Sequence, residues 1–388
     1  MRLAREALIK VLFLHVGENW IRGSENVLLT IFRGLDKQQI QPFLICDQPA
    51  MAEAARVEGI ETTLFRFPNI MMDSDTFQFD FAQWVRMARQ MRSLVSRKEI
   101  QLLYSNSARP CQVAHYVANW QGIPLICHLH AAYARRYILL YRVHLASRII
   151  LPSHAVETLL KAGHSHLPIS EVIYFGVDTE RFRPAEAAEA RWRQEIQIPA
   201  DAIVFGQVSY LVADKGVDTL LRAFQVVCRR LPNARLVVVG DGPLRSEFDR
   251  LAAELSISSR VHFAGYRPDT ENYYRYVFDV NILASRKEAL GIAALEAAAC
   301  GLPCICANTG GLPEAIEHGK TGLLFETDNV SQLAERMAEL GDSPALRRSM
   351  GEAGCQRIRD RFSRPAFVRS IERTILNTTL RRSNMVGI

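Results

Sequence analysis

The stretch "FDVNILASRKEALGIAALEAAACGLPCICAN", Phe278 to Asn308, decides the fold. A short apolar run, "VNILAS", breaks at the polar "RKE". An Ala-rich segment follows, stops at Gly301 and Pro303, and gives way to a second apolar run, "CICA". Ala and Leu favour helix, and a glycine followed by a proline ends one. Strand, helix and strand at this spacing make a βαβ unit, whose two strands lie parallel in one sheet.

The same alternation recurs along the chain. "KVLFLHV" precedes "SENVLLTIFRGL", "PFLIC" precedes "AEAARVEG", "IQLLYSN" precedes "ARPCQVAHYVANWQG", and "ASRIILPS" precedes "HAVETLLKAG". Near residue 200 the pattern restarts, with "AIVFGQVS", "ARLVVVGDG" and "RVHFAG" as strands. Continuous β-branched runs between amphipathic segments call for parallel sheets with crossover helices. The expectation is an α/β protein of two Rossmann-like, doubly wound domains facing a cleft. The domains are placed at 1–177 and 201–362, with a charged hinge at 178–200. Residues 363–388 read as a terminal helix that crosses back to the first domain, since Phe367, Ile371 and Ile375 recur at helical spacing and need a partner surface.

Composition narrows the class. The chain has 388 residues, 48% hydrophobic and 23% charged, enough for two cores. Its apolar runs are strand-length, far short of a membrane span, and "MRLAREALIK" lacks the features of a secretory signal. The eight cysteines form no C-x-x-C pair and no zinc-ligand spacing, and Cys300, Cys304 and Cys306 read as small buried residues. A reducing, cytoplasmic setting is expected. The net charge of +6 is uneven: residues 1–175 carry 19 Lys/Arg against 14 Asp/Glu, so the first half is the basic one. It is the half expected to meet an anionic surface or acceptor.

The loops after the strands carry the chemistry. Glu288 and Glu296 lie eight residues apart around a helix start. The amides of Leu290, Gly291 and Ile292 are there left for a phosphate, and Gly291 admits close approach. Carboxylates are poor phosphate ligands but good acceptors for sugar or ribose hydroxyls. These residues therefore fit a nucleotide sugar; they also fit an ordinary acid-rich helix start. Lys215 sits at another strand-to-helix junction, where it would neutralise a diphosphate. Gly240 in "VVVGDGP", Gly265 in "VHFAG" and "NTGGLPE" add further loops that favour a ligand.

From Asp201 to Phe362 the sequence resembles the donor domain of the family 4 retaining glycosyltransferases of the GT-B fold. The matching text includes "DKGVDTLLRAF", "LVVVGDGPLRSEF" and "EALGIAALEAAACGLPCICANTGGLPEAIEHGKTGLLF". "RGSENVLLTIFRGL", "GIPLICHLHA" and "FGVDTERFRP" in the first half resemble the family more loosely. The resemblance implies that Glu296 holds the donor ribose and Glu288 the hydroxyls of the transferred hexose. Lys215 would hold the diphosphate, His130 would lie beside the reacting sugar, and Gly23 would let the first domain's loop approach the ligand. His128, two residues from His130, is expected to face the other way. The family's usual arginine five residues before the lysine is here Tyr210, and its usual double glycine is Arg22-Gly23, so Arg22 is a candidate replacement cation.

The implied reaction moves a hexose from a UDP- or GDP-linked donor to an acceptor hydroxyl with retention, in polysaccharide, lipopolysaccharide or glycolipid synthesis. No Asp-x-Asp metal site stands at a suitable strand end, so no obligatory metal or other cofactor is expected. A catalytically impaired nucleotide-sugar-binding protein and another sugar-nucleotide enzyme, such as an epimerase, are the alternatives. A dehydrogenase is disfavoured, because "GENWIRGSE" does not fit G-x-G-x-x-G; no nucleic-acid partner is expected. Residues 81–100, "FAQWVRMARQMRSLVSRKEI", read as an amphipathic helix packed on the sheet with a basic face. The sharper reading is peripheral contact with the inner face of a membrane or with a lipid-linked acceptor.

Overall fold

The computed structural model describes residues 8–386 apart from 18, 20, 22, 69, 74, 75, 164–166 and 188. It divides into two compact units, one of residues 1–176 with 364–388 and the other of residues 177–363.

The first unit is built on a seven-stranded parallel sheet. Its strands are β1 (Ile9–His15), β2 (Ile40–Cys46), β3 (Glu61–Leu64), β6 (Leu102–Ser105), β7 (Leu125–His128), β8 (Arg148–Leu151) and β9 (Ile169–Val172); an antiparallel hairpin of β4 (Ile70–Asp73) and β5 (Thr76–Phe79) stands apart. The order is β3-β2-β1-β6-β7-β8-β9, so the chain reverses direction between β1 and β6. Val11 to Leu14 are fully buried on both faces, as a sheet covered by helices requires. The helix Phe81–Lys98, capped by Asp80, buries Met87, Ala88, Met91, Leu94 and Val95. Phe81, at the first helical position, is exposed.

The C-terminal helix Arg364–Val386 is part of this unit. Phe367, Ile371 and Ile375 are buried. Val368 lies so close to Gly34, at the end of the helix Gly23–Gly34, that a β-carbon there would come within 2.6 Å of it. Glu372 accepts from the Asp36 amide at 2.7 Å, and Thr374 donates to Glu171 at 2.9 Å.

The second unit holds a six-stranded parallel sheet of β10 (Val204–Val208), β11 (Arg235–Val239), β12 (Val261–Gly265), β13 (Val280–Leu283), β14 (Cys304–Ala307) and β15 (Gly322–Phe325), ordered β12-β11-β10-β13-β14-β15. Its reversal falls between β10 and β13. The charged segment read as a hinge is held within this unit. Arg181 donates to Glu271 and to the Pro268 carbonyl, and Trp192 stacks on Tyr276 with ring centroids 6.3 Å apart.

Candidate functional site

In a doubly wound sheet, the loops leaving the carboxyl ends of the two strands at the reversal diverge and leave a crevice. In the second unit these are the loops after β10 and β13, residues 209–216 and 284–291. Lys215 closes a single 3-10 turn, Ala213–Lys215, in the first; Glu288 lies in the second. Lys215 Nζ donates to Glu288 Oε2 at 2.5 Å, and Ser285 Oγ lies 3.4 Å from the same oxygen. Residues 73 apart in sequence meet because β10 and β13 are neighbours.

Arg286 fastens the two loops together. Its guanidinium donates to both oxygens of Asp218, at 2.9 and 2.7 Å, to Asp328 at 3.0 Å and to the Ala213 carbonyl, while its amide donates to the Asp214 carbonyl at 2.8 Å. The next junction presses in from the other side. Gly310 has φ 52°, and a β-carbon there would fall 1.8 Å from the Glu288 carbonyl oxygen. Only glycine fits that backbone and that approach.

The helix Ile292–Ala299 begins directly after Glu288, with Gly291 as its N-cap at φ 94°. Among the described residues the amides of Leu290, Gly291 and Ile292 donate no hydrogen bond, so the positive end of the helix lacks an acceptor. Glu296 stands one turn inside. Burial pushes its carboxyl up to about 8, against the pull of the Arg181 charge and with a further push from Glu271. Gly240 and Gly265 pair across the ends of β11 and β12, the Gly240 amide donating to the Gly265 carbonyl at 2.8 Å. Tyr210 is partly exposed in the loop after β10, and its carbonyl accepts from the Val212 amide. Lys215, Glu288, Leu290, Gly291 and Ile292 thus gather at one strand-end crevice, with Glu296 a turn deeper.

The first unit uses its own reversal differently. His15 ends β1, Asn106 follows β6, Glu25 sits in the first turn of the helix Gly23–Gly34, and Gln48 precedes the helix Pro49–Val57. All four are buried. His15 Nε2 lies 2.9 Å from Glu25 Oε1, which also accepts from Gln48 Nε2 at 3.4 Å; Ser24 Oγ donates to Glu25 Oε2 at 3.1 Å. Asn106 Nδ2 lies 2.9 Å from His15 Nδ1 and donates to the Ser24 carbonyl at 3.1 Å. Asn106 Oδ1 lies 3.0 Å from His130 Nε2. Burial raises the Glu25 carboxyl, but the interactions with His15 and the bond from Gln48 outweigh this and hold it at about 2. Burial drives the His130 imidazole down to about 3.

His128 does not face away from His130. Residues two apart on a strand share a face, and the two rings lie 4.5 Å apart. They differ in partner: His128 Nδ1 bonds the buried Tyr104 hydroxyl at 2.8 Å, while His130 stacks on Phe175 at 5.5 Å. Gly23 opens its helix; Arg22, the candidate replacement cation, lies outside the described residues.

His15, Glu25, Gln48, Asn106 and Arg286 were not among the expected site residues. Glu25 had a readable signal. It shares a helical face with Leu28, Leu29 and Phe32, all buried, and a carboxylate on such a face needs donors.

Comparison with known proteins follows the same division. A family model described as Glycosyltransferase Family 4 matches residues 21–181, and one described as Glycosyl transferases group 1 matches residues 188–357. A GDP-mannose-dependent alpha-(1-6)-phosphatidylinositol monomannoside mannosyltransferase of Mycobacterium tuberculosis is 37% identical over 187 residues, 46% of this chain and 48% of the relative. The chain thus spans about half the length of the first curated relatives it matches. An N-acetyl-alpha-D-glucosaminyl L-malate synthase of Bacillus anthracis is 25% identical over 81% of this chain and 86% of its own. Among solved structures, Anabaena HepE in complex with UDP and glucose superposes with a TM-score of 0.81 at 22% identity, over 95% of this chain and all of that one. With two parallel-sheet Rossmann-like units of GT-B type, and family matches that together take in most of its length, the chain belongs to the family 4 glycosyltransferases.

Proposed function

We propose that this protein is a retaining glycosyltransferase that moves a hexose from a UDP- or GDP-linked sugar to an acceptor hydroxyl of a polysaccharide, lipopolysaccharide or glycolipid. The observation that carries the reading is the second unit's reversal. A lysine and a carboxylate are bonded there beside three helix-end amides that have no acceptor among the described residues. Each part has a use when a sugar diphosphate leaves. Lys215 exchanges its bond to Glu288 for the diphosphate, and the amides of Leu290, Gly291 and Ile292 take up the rest of the leaving charge. Glu288, released, accepts from the hexose hydroxyls, and Glu296 accepts from the ribose. Each charge-assisted bond to Glu288 contributes about 1.5–3 kcal/mol. His130 is assigned to a sugar hydroxyl. Gly23, Gly240 and Gly265 are assigned to close backbone approach and Tyr210 to a single hydrogen bond, with Arg22 as the extra cation. The leaving phosphate helps deprotonate the incoming hydroxyl on the same face, which gives retention.

The relatives support a nucleotide-sugar donor: one is named for GDP-mannose, and a structural neighbour was crystallised with UDP and glucose. No helix among the described residues is long and apolar enough to cross a membrane. We assign the protein to the cytoplasm, with the basic helix Phe81–Lys98 at the membrane face. Binding to anionic vesicles that disappears in high salt is the expected result; equal binding to neutral vesicles would contradict it. The reaction needs no divalent ion, so full turnover in EDTA is expected and complete loss would refute that assignment.

The deciding test is a screen of UDP- and GDP-hexoses for acceptor-dependent release of UDP or GDP. Release with retained anomeric configuration supports the reading. Binding of a donor without any release would instead favour the impaired binding protein, for which the uncharged Tyr210 is the supporting observation.

A further inference from the structure

We propose that His15, Glu25 and Asn106 form a positioning relay that fixes the His130 ring with its proton on Nε2 and presents the Nδ1 lone pair to a ligand hydroxyl.

The direction of every bond follows from what each atom can do. The Ser24 carbonyl can only accept, so the Asn106 side-chain atom 3.1 Å from it is the amide nitrogen. That nitrogen also points at His15 Nδ1, at 2.9 Å, which must therefore accept. The His15 proton is then on Nε2 and is donated to Glu25 Oε1. Glu25, an ionised acceptor, demands the same tautomer from the opposite end. With the Asn106 amide oriented this way, its Oδ1 faces His130 Nε2, which must donate. The remaining nitrogen of His130, Nδ1, is buried and has no partner among the described residues. A proton on it would be a buried donor with nothing to receive it, whereas a lone pair there awaits a donor. The titratable groups described around the ring are His128, His15 and Glu25. His128 turns its Nδ1 to the Tyr104 hydroxyl, and its Nε2, like His130 Nδ1, has no partner among the described residues.

Three polar side chains from three separate segments are buried together, and the ring at the end of their chain, His130, keeps a buried nitrogen with no partner among the described residues. The ligand assignment rests on the glycosyl-transfer reading above; the tautomer does not.

The test is made on the full 15N-labelled chain, with His130→Gln to assign the signal. Long-range proton–nitrogen correlation should show His130 neutral, with its proton on Nε2. A proton on Nδ1, or a charged ring at neutral pH, would overturn the proposal. Asn106→Asp then turns the relay against itself. Its carboxylate still accepts from His130 but cannot donate to Ser24 or His15, and its charge draws a second proton onto the His130 ring. Relative to the unaltered protein, kcat/KM for the nucleotide sugar should fall by about tenfold per pH unit below the new His130 pKa and recover above it. A loss independent of pH would mean a structural role only and would sink the relay. If that variant does not fold, the wild-type tautomer still decides. A correct tautomer in a protein that turns over no nucleotide sugar would refute the functional reading while leaving the relay intact.

Discussion

The two units share one topology and spend it in opposite ways. Each reverses direction once, between β1 and β6 in the first and between β10 and β13 in the second. At the first reversal stand His15 and Asn106, both fully buried. At the second stand Lys215 and Glu288, a charged pair with side chains 27% and 16% exposed. The difference teaches that the fold supplies the crevice and the loop residues supply the chemistry. A buried hydrogen-bonded chain holds one ring in one tautomer, while a semi-exposed ion pair can trade partners with an incoming anion.

The sharpest way to break the comparison is to remove the exchangeable charge. Lys215→Ala should lower turnover by about 10²–10³-fold, the usual cost of losing one stabilising group at a leaving charge. Steady-state release of nucleotide diphosphate reads this, and near-normal turnover would contradict it. A core lesion in the first unit should behave differently. Ile371→Ala leaves a cavity under the C-terminal helix and should cost about 2–5 kcal/mol of stability. Calorimetric binding of nucleotide should be unchanged at temperatures where the variant is folded; lost binding would show that the units do not divide the labour as described. Gly310→Ala should cost about 1–3 kcal/mol through its strained backbone. Because its new β-carbon strikes the Glu288 carbonyl, it should weaken donor binding as well, whereas Ile371→Ala should not.

The smallest effect is on pH dependence. The Glu296 carboxyl is raised to about 8, by burial first, against Arg181 and with Glu271. Below that value it keeps its proton and accepts poorly from a ribose, so nucleotide affinity should climb with pH and level off above it. The folded protein holds a proton there that the unfolded chain loses from its ordinary value of 4.5. This group's contribution to stability is therefore fully present below 4.5 and is lost as pH rises toward 8. Glu296→Gln should flatten both profiles; an unchanged affinity profile would place the titration elsewhere.

Much of this was legible in the sequence. The βαβ rhythm, its restart near residue 200 and the Glu288–Glu296 spacing were carried by local patterns of strand, helix and loop. The return of the C-terminal helix to the first unit was signalled by Phe367, Ile371 and Ile375, whose apolar stripe needed covering. The relay was hidden because its members lie far apart in the chain: 91 residues separate His15 from Asn106, and each looks ordinary alone. The pairing of Lys215 with Glu288 was hidden for the same reason, since it depends on which strands are neighbours. His128 was misjudged by a simple count, for alternation brings residues two apart onto one side.

The most direct test of the account is calorimetric titration of UDP- and GDP-hexoses into the unaltered protein and into the Glu288→Ala, Glu296→Ala double variant. The unaltered protein should bind at least one of these donors, and the double variant should lose that binding while unfolding at a similar temperature. Equal affinity in the two proteins would contradict it.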